Sequence, residues 1–235
     1  MKKAFLLSAV AIAGSVLATD VETANSYGVL PVTTSGTATM VAVPFVGDGA
    51  NISIDQMVKA TNLSAGDMIY ALPTGSDNAY KVWQLNSGRT AWEPVVGVKV
   101  GTGTQFTPTS ASQTTIARGQ AFWLVRNSSS STTFYVMGVG PTDVAGATTV
   151  SNGWNLVGQS SATGAKTLAD IATAVGAKGS VRLNNGTRYT YTGSKWYSVS
   201  GNVPTEVLDP ESTPLPVGEG FWIVRKAEGS ENVSL

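Results

Sequence analysis

The 235-residue chain contains no cysteine and no histidine, and only 13% of its residues are charged. Without thiols there is no disulfide framework and no thiol chemistry, so folding must rest on packing and backbone pairing alone. Without imidazole there is no Ser-His-Asp or Cys-His nucleophile arrangement and none of the usual zinc sites, because the proton shuttle or metal ligand is missing. Lys plus Arg and Asp plus Glu both number 15, so the formal charge balances, and no basic patch points to nucleic acid. After residue 18 no apolar run is long enough to cross a bilayer. A surface built mainly from Ser, Thr, Asn and Gly does little to oppose self-association.

What is present begins with an export signal. Lys2 and Lys3 form a positive n-region, Ala4 to Leu17 an uncharged apolar stretch, and Val16-Leu17-Ala18 a small-residue cleavage site. Residues 1–18 are therefore expected to be removed after Ala18. The apolar stretch is too short to serve as a membrane anchor.

The rest of the chain is duplicated. Ile116-Ala-Arg-Gly119-Gln-Ala-Phe122-Trp123-Leu-Val-Arg126 reappears as Leu215-Pro-Val-Gly218-Glu-Gly-Phe221-Trp222-Ile-Val-Arg225. Upstream, Ser53-Ile-Asp-Gln56 and Thr167-Leu-Ala-Asp170 each place a hydroxyl N-cap three residues before a side chain able to bond back. Ile54, Met57 and Val58 in one copy, and Leu168, Ile171 and Val175 in the other, form the apolar face of a short helix that stops near Asn62 or Gly176. Alternation then takes over. Val181 to Leu183, Tyr189 to Tyr191 and Lys195 to Tyr197 read as a meander, with Asn185-Gly186 in a hairpin turn whose two central residues both take positive φ. Met68 to Leu72, Tyr80 to Leu85 and Arg89 to Trp92 are the first copy's version, and the opening strands are Thr39 to Val43 and Trp154 to Val157. Tyr27-Gly28-Val29-Leu-Pro31 matches Met137-Gly138-Val139-Gly-Pro141, which implies that the strand closing one repeat leads straight into the opening of the next. The expected fold is all-β, mainly antiparallel, with one short helix per repeat, as two tandem homologous domains or half-barrels: residues 19–140 and 141–235. The Ser/Thr-rich stretches 101–115 and 127–133 read as loops, the first an insertion lacking in the second copy.

Gly153-Trp-Asn-Leu-Val-Gly158, followed by Pro216-x-Gly-x-Gly-Phe-Trp-Ile223, resembles a repeat of secreted bacterial surface proteins. Asn25-Ser-Tyr27-Gly28-Val29 and Val43-Pro44-Phe45 resemble the opening of exported proteins abundant in the Verrucomicrobia. The resemblance implies a secreted or envelope β protein and carries no catalytic residues.

Three function classes are weighed. The first is an exported structural subunit that self-assembles at the cell surface as a filament or surface layer, its partners copies of itself. The expected joint sets Val233, Ser234 and Leu235 of one copy against Tyr27, Gly28 and Val29 of the next. The second is a monomeric adhesin for surface glycans or a protein, using Trp83, Tyr189 and Tyr191 as stacking rings, with the repeat-matched pairs Trp92/Trp196 and Trp123/Trp222 assigned to the core. The third, a hydrolase with two carboxylates, has no acids singled out by the pattern, so no enzyme is expected. Neither a cofactor nor a metal is called for. The nearest approach to calcium sites is Asp48 with Asn51, and Asp209 with Glu211, both lacking a full ligand spacing.

Overall fold

The computed structural model describes residues 27–34, 37–43, 51–59, 61–72, 80–100, 103–108, 115–139, 147–159 and 166–234. The expected leader, Asp48 and Leu235 lie outside them.

The first repeat runs β1 (Tyr27–Thr33), β2 (Ala38–Ala42), β3 (Asn51–Ser53), α1 (Ile54–Met57), β4 (Met68–Ala71), β5 (Lys81–Leu85), β6 (Trp92–Val100), β7 (Gly103–Pro108), β8 (Thr115–Ala117), β9 (Ala121–Val125) and β10 (Thr133–Val139). The second runs β11 (Ala147–Val150), β12 (Gly153–Gly158), α2 (Ala172–Val175), β13 (Ser180–Leu183), β14 (Arg188–Tyr191), β15 (Trp196–Ser200), β16 (Val203–Val207), β17 (Gly220–Arg225) and β18 (Glu231–Ser234). Two six-stranded antiparallel sheets result, ordered β2-β9-β4-β5-β6-β7 and β12-β17-β13-β14-β15-β16, which match strand for strand.

The Gly-x-small-Phe-Trp-apolar-Val-Arg motif of each repeat forms the strand next to the sheet edge that closes the core. β9 is hydrogen-bonded to both β2 and β4, and β17 to both β12 and β13. Alternation sends Phe122 and Leu124, or Phe221 and Ile223, inward against the helix side. Each repeat thus has its own apolar core, centred on Trp83, Phe122 and Phe134 in the first and on Leu168, Trp196 and Phe221 in the second.

Local chemistry explains the helices and turns. The Ser53 hydroxyl accepts from the Gln56 N–H at 3.2 Å, and Gln56 Oε1 accepts from the Ser53 N–H at 3.4 Å, the expected capping box. Thr167 and Asp170 exchange the same pair of bonds, yet regular helix begins only at Ala172. The Ala172 N–H reaches back three residues, to the Ala169 carbonyl, so the capped turn is tight and the α-helix follows it. The Asn185-Gly186 turn also differs from expectation, because only Gly186 has positive φ (86°). Its N–H donates to the Leu183 carbonyl and the Leu183 N–H to the Thr187 carbonyl, a type I turn followed by a left-handed glycine. The loop reading of 101–115 is corrected over much of its length. Gly103–Pro108 is β7, paired with β6, and Thr115 opens β8. β7 occupies the station of β16, so the extra residues lengthen a hairpin: β6 has nine residues where β15 has five.

Both motif arginines are buried, with different partners. Arg126 Nε lies 3.4 Å from Asp67 Oδ2, while the other Asp67 oxygen accepts from the Asn127 N–H and Oδ2 also accepts from the Ser64 N–H. Its guanidinium further donates to the Ser130 carbonyl. In the second repeat Gly179 stands at the Asp67 station, and Arg225 instead donates to the Thr173 and Ala174 carbonyls at 2.9 Å, capping the end of α2.

The two repeats meet through reciprocal backbone contacts. Val41 bridges Glu219 and Val157 bridges Gln120. The Ala42 N–H donates to the Gly218 carbonyl at 3.1 Å and the Gly158 N–H to the Gly119 carbonyl at 3.0 Å. Each bond is the other's image on exchange of repeats, the internal counterpart of an isologous dimer contact. Met40, Ala121 and Leu156 form a third small core there, flanked by Leu72, Trp123 and Trp222. Gly158 is required by proximity, since a Cβ on it would sit 2.5 Å from the Ala42 Cα.

Two outcomes follow. Arg126→Met leaves the wholly buried Asp67 carboxylate without its cation and is expected to cost about 3–5 kcal/mol in urea unfolding. Gly158→Val forces the repeats apart and is expected to cost about 1–3 kcal/mol, a drop in Tm of roughly 2–10 °C by calorimetry.

Candidate functional site

Alternation along each strand decides which side chains are available to a partner. On the outer face of the second sheet the register places Leu156, Trp222, Arg182 and Arg188 in one cross-strand row, and Trp154 beside them opposite Val224. Trp154 is 51% exposed. Its ring meets Trp222 edge-to-face at 5.4 Å and 87°, and the Arg182 guanidinium lies 4.8 Å from its centroid. On the first sheet the same stations hold Ala38, Met40, Trp123, Tyr70 and Val82. Tyr70 there packs edge-on against Tyr80 at 6.1 Å, and burial pushes both phenols above their usual range, so they stay uncharged.

The tryptophans divide differently from the sequence reading. Trp92 and Trp196 are core, as expected, and the Trp92 indole N–H donates to the Val58 carbonyl at 3.0 Å. Trp123 and Trp222 are half-buried on the outer faces, in the contact between repeats. The stacking candidates are corrected in the opposite sense. Trp83 is 2% exposed, inside the first core. Tyr189 and Tyr191 are half-buried against the second core. By register Tyr189 sits at the Trp83 station and Tyr191 at the Leu85 station, so one packing problem is solved by large side chains in both repeats.

The strands named for assembly lie in two ribbons outside the six-stranded sheets. Tyr27, Gly28 and Val29 pair with Val139, Gly138 and Met137; Val233 and Ser234 pair with Thr148 and Ala147. Each closing strand therefore turns back onto the opening strand of its own repeat. The expected direct handover from β10 into the next repeat falls on residues 140–146, which lie outside the described residues. Among the described residues no other strand pairs with β1 or with β18, so each keeps one free edge. The outer faces of the ribbons differ. The first presents Val29 (53% exposed), Pro31, Tyr135 (39% exposed) and half-buried Met137, while the second presents Thr149 hydrogen-bonded to Asn232 at 2.9 Å.

The described carboxylates are largely committed to structure. Asp55 Oδ1 accepts from the Trp92 N–H at 2.7 Å, at the wall of a polar cavity of about 540 Å³ lined also by Lys59, Asn62 and Arg89. The Thr167 N–H holds the Asp170 carboxyl below the usual range, as a charged cap. Asp209 caps the Ser212 N–H at 3.1 Å, and Glu206 pairs with Lys195 at 2.9 Å. Among the described residues no three acids converge as a metal site would need.

Compared with known families, with curated proteins and with solved structures, the chain matches none.

The sequence reading places Trp154 on an opening strand but does not single out Trp154, Arg182 or Arg188 as binding residues. The signal was the Phe-Trp pair itself: on a strand whose Phe is core, the adjacent Trp faces out and needs neighbours there. Trp83→Ala is expected to cost about 3–5 kcal/mol of stability. Trp83→Phe is expected to cost little, since the indole N–H has no partner among the described residues. Chemical denaturation of both variants checks this.

Proposed function

We propose that the protein is an exported structural subunit that self-assembles at the cell surface into a filament or layer. The carrying observation is the first ribbon, which combines a β1 edge that no other described strand pairs with and an apolar face of exposed Val29, Pro31 and Tyr135 beside half-buried Met137. Single exposed apolar residues are ordinary on a protein surface, but a contiguous group beside an unpaired edge is a template for another chain. The matched ribbon of the second repeat carries Thr149 and Asn232 instead, so the two ends of the described chain are unlike. Unlike ends suit a heterologous, head-to-tail contact, which gives a fibre when the rotation does not close.

In this reading β18, at Val233 and Ser234, adds to β1 at Tyr27 to Val29 in the next copy, along the edges that no other described strand occupies. The internal pairings stay intact, and two ribbons become one four-stranded sheet. The low charge of the surface and the resemblance to secreted bacterial surface proteins support the same reading.

The test is light scattering and negative-stain electron microscopy over a concentration series. Ordered polymers are expected for the natural chain. Tyr135→Lys places a charge on the apolar face and is expected to raise the concentration needed for assembly by about tenfold or more, roughly 1.4 kcal/mol of contact energy. Val233 is buried in the second core, so the joint is tested by removing only Ser234 and Leu235, which is expected to abolish polymers. A chain that stays monomeric at high concentration, or polymerises normally without those residues, overturns the proposal.

A further inference from the structure

The duplication supplies an internal control for the outer face of the second sheet. The same fold closes in the first repeat with Ala38, Tyr70 and Val82 at the stations of Trp154, Arg182 and Arg188. Packing therefore does not require an exposed tryptophan or two arginines there. The arginines in fact work against the sheet. Arg182 and Arg188 are direct register partners on β13 and β14, both exposed, and like charges directly opposite across strands are destabilising. Among the described residues neither has a carboxylate at ion-pair distance. The acid facing outward further along the sheet, Glu206, is held by Lys195 at 2.9 Å.

Two paired guanidinium groups without an acid leave a concentrated positive charge suited to carboxylate or sulfate, which each fork can grip with two N–H donors. Next to them stand two indoles set edge-to-face, 87° apart, one of them half exposed. A flat apolar ring beside a cation matches a sugar ring that carries an acid: the pyranose face covers the indole while its charged substituent reaches the arginine. The exposed side chains, Trp154, Arg182 and Arg188, reach from β12 to β14 across three strand spacings, about 14 Å, a length that suits a polymer.

We propose that this face binds an anionic polysaccharide, with Trp154, braced edge-on by Trp222, stacking a sugar ring and Arg182 and Arg188 holding the acidic groups. The proposal stands independently of self-assembly. It needs no residue of either ribbon.

The experiment is affinity electrophoresis of the purified chain, with tryptophan fluorescence, against four polymers. Polygalacturonate and dextran sulfate carry acid on sugar, neutral dextran carries sugar alone, and poly-L-glutamate carries acid alone. Retardation and altered fluorescence are expected with at least one acidic polysaccharide, and weak or no effect with dextran and poly-L-glutamate. Which of the two acidic polysaccharides binds tighter tells carboxylate from sulfate. Arg182→Gln with Arg188→Gln, and separately Trp154→Ala, are expected to weaken binding at least tenfold. Lys59→Gln, which removes an exposed charge from the first repeat, is expected to leave it within twofold. The arginine variants relieve a repulsion, so loss of fold does not confuse them. Equal binding of poly-L-glutamate, equal loss in Lys59→Gln, unchanged binding in the arginine variants, or no binding of either acidic polysaccharide would each overturn the proposal.

Discussion

Strands β9 and β17 each meet three demands with one short segment. Their inner side chains fill the core, their outer tryptophans pack where the repeats meet, and their terminal arginines are buried and must find acceptors. Both also hydrogen-bond a strand on either side, so their register sets that of the opening strand and of the meander. A shift of one residue would turn Phe122 or Phe221 outward and bring Trp123 or Trp222 into a space filled by a smaller ring. The glycine two residues before each strand completes the constraint. Gly119 and Gly218 have φ near 80°, turning the chain into the strand and presenting their carbonyls to the other repeat.

From that anchor the duplication becomes an assembly within one chain. The repeats meet by two equivalent backbone hydrogen bonds and a small apolar cluster, with separate large cores on either side. Such a contact relies on close backbone approach, which explains why small residues, Ala42, Gly158, Ala121 and Gly220, face one another across it. The larger side chains around them, Met40, Leu156 and the outer tryptophans, then seal the contact from water.

Duplicated folds also reveal where the copies have separated in purpose. Arg126 pairs with a buried carboxylate, whereas Arg225 caps a helix end, two ways of satisfying the same buried cation. The ribbons have gone apolar in one copy and polar in the other, and the outer sheet faces have gone aromatic in one and cationic in the other. The cores kept their stations, with Trp83 answering Tyr189 and Trp92 answering Trp196. The differences in exposed chemistry therefore lie on surfaces that alternation leaves free.

The repeat, the class of fold, the capping boxes and most strands could be read from the chain alone, because they depend on neighbours within a few residues. Ser53 and Gln56 meet whatever the rest of the molecule does, and the alternation of Val181 to Leu183 marks a strand in any sheet. The hairpin β6–β7 was harder to read, since Ser/Thr-rich strands resemble loops until a partner strand is in place. Exposure of particular aromatics was not legible, as Trp83 shows: a strand's alternation gives two faces without naming the covered one. That choice belongs to tertiary structure, which lays α1 and the first ribbon over one face of the sheet and leaves the other to the second repeat and to solvent. The same holds for Arg182 and Arg188, six positions apart in the chain and made direct neighbours only by the register of β13 on β14. Local propensity determined the elements; long-range pairing decided which side chains a partner can reach.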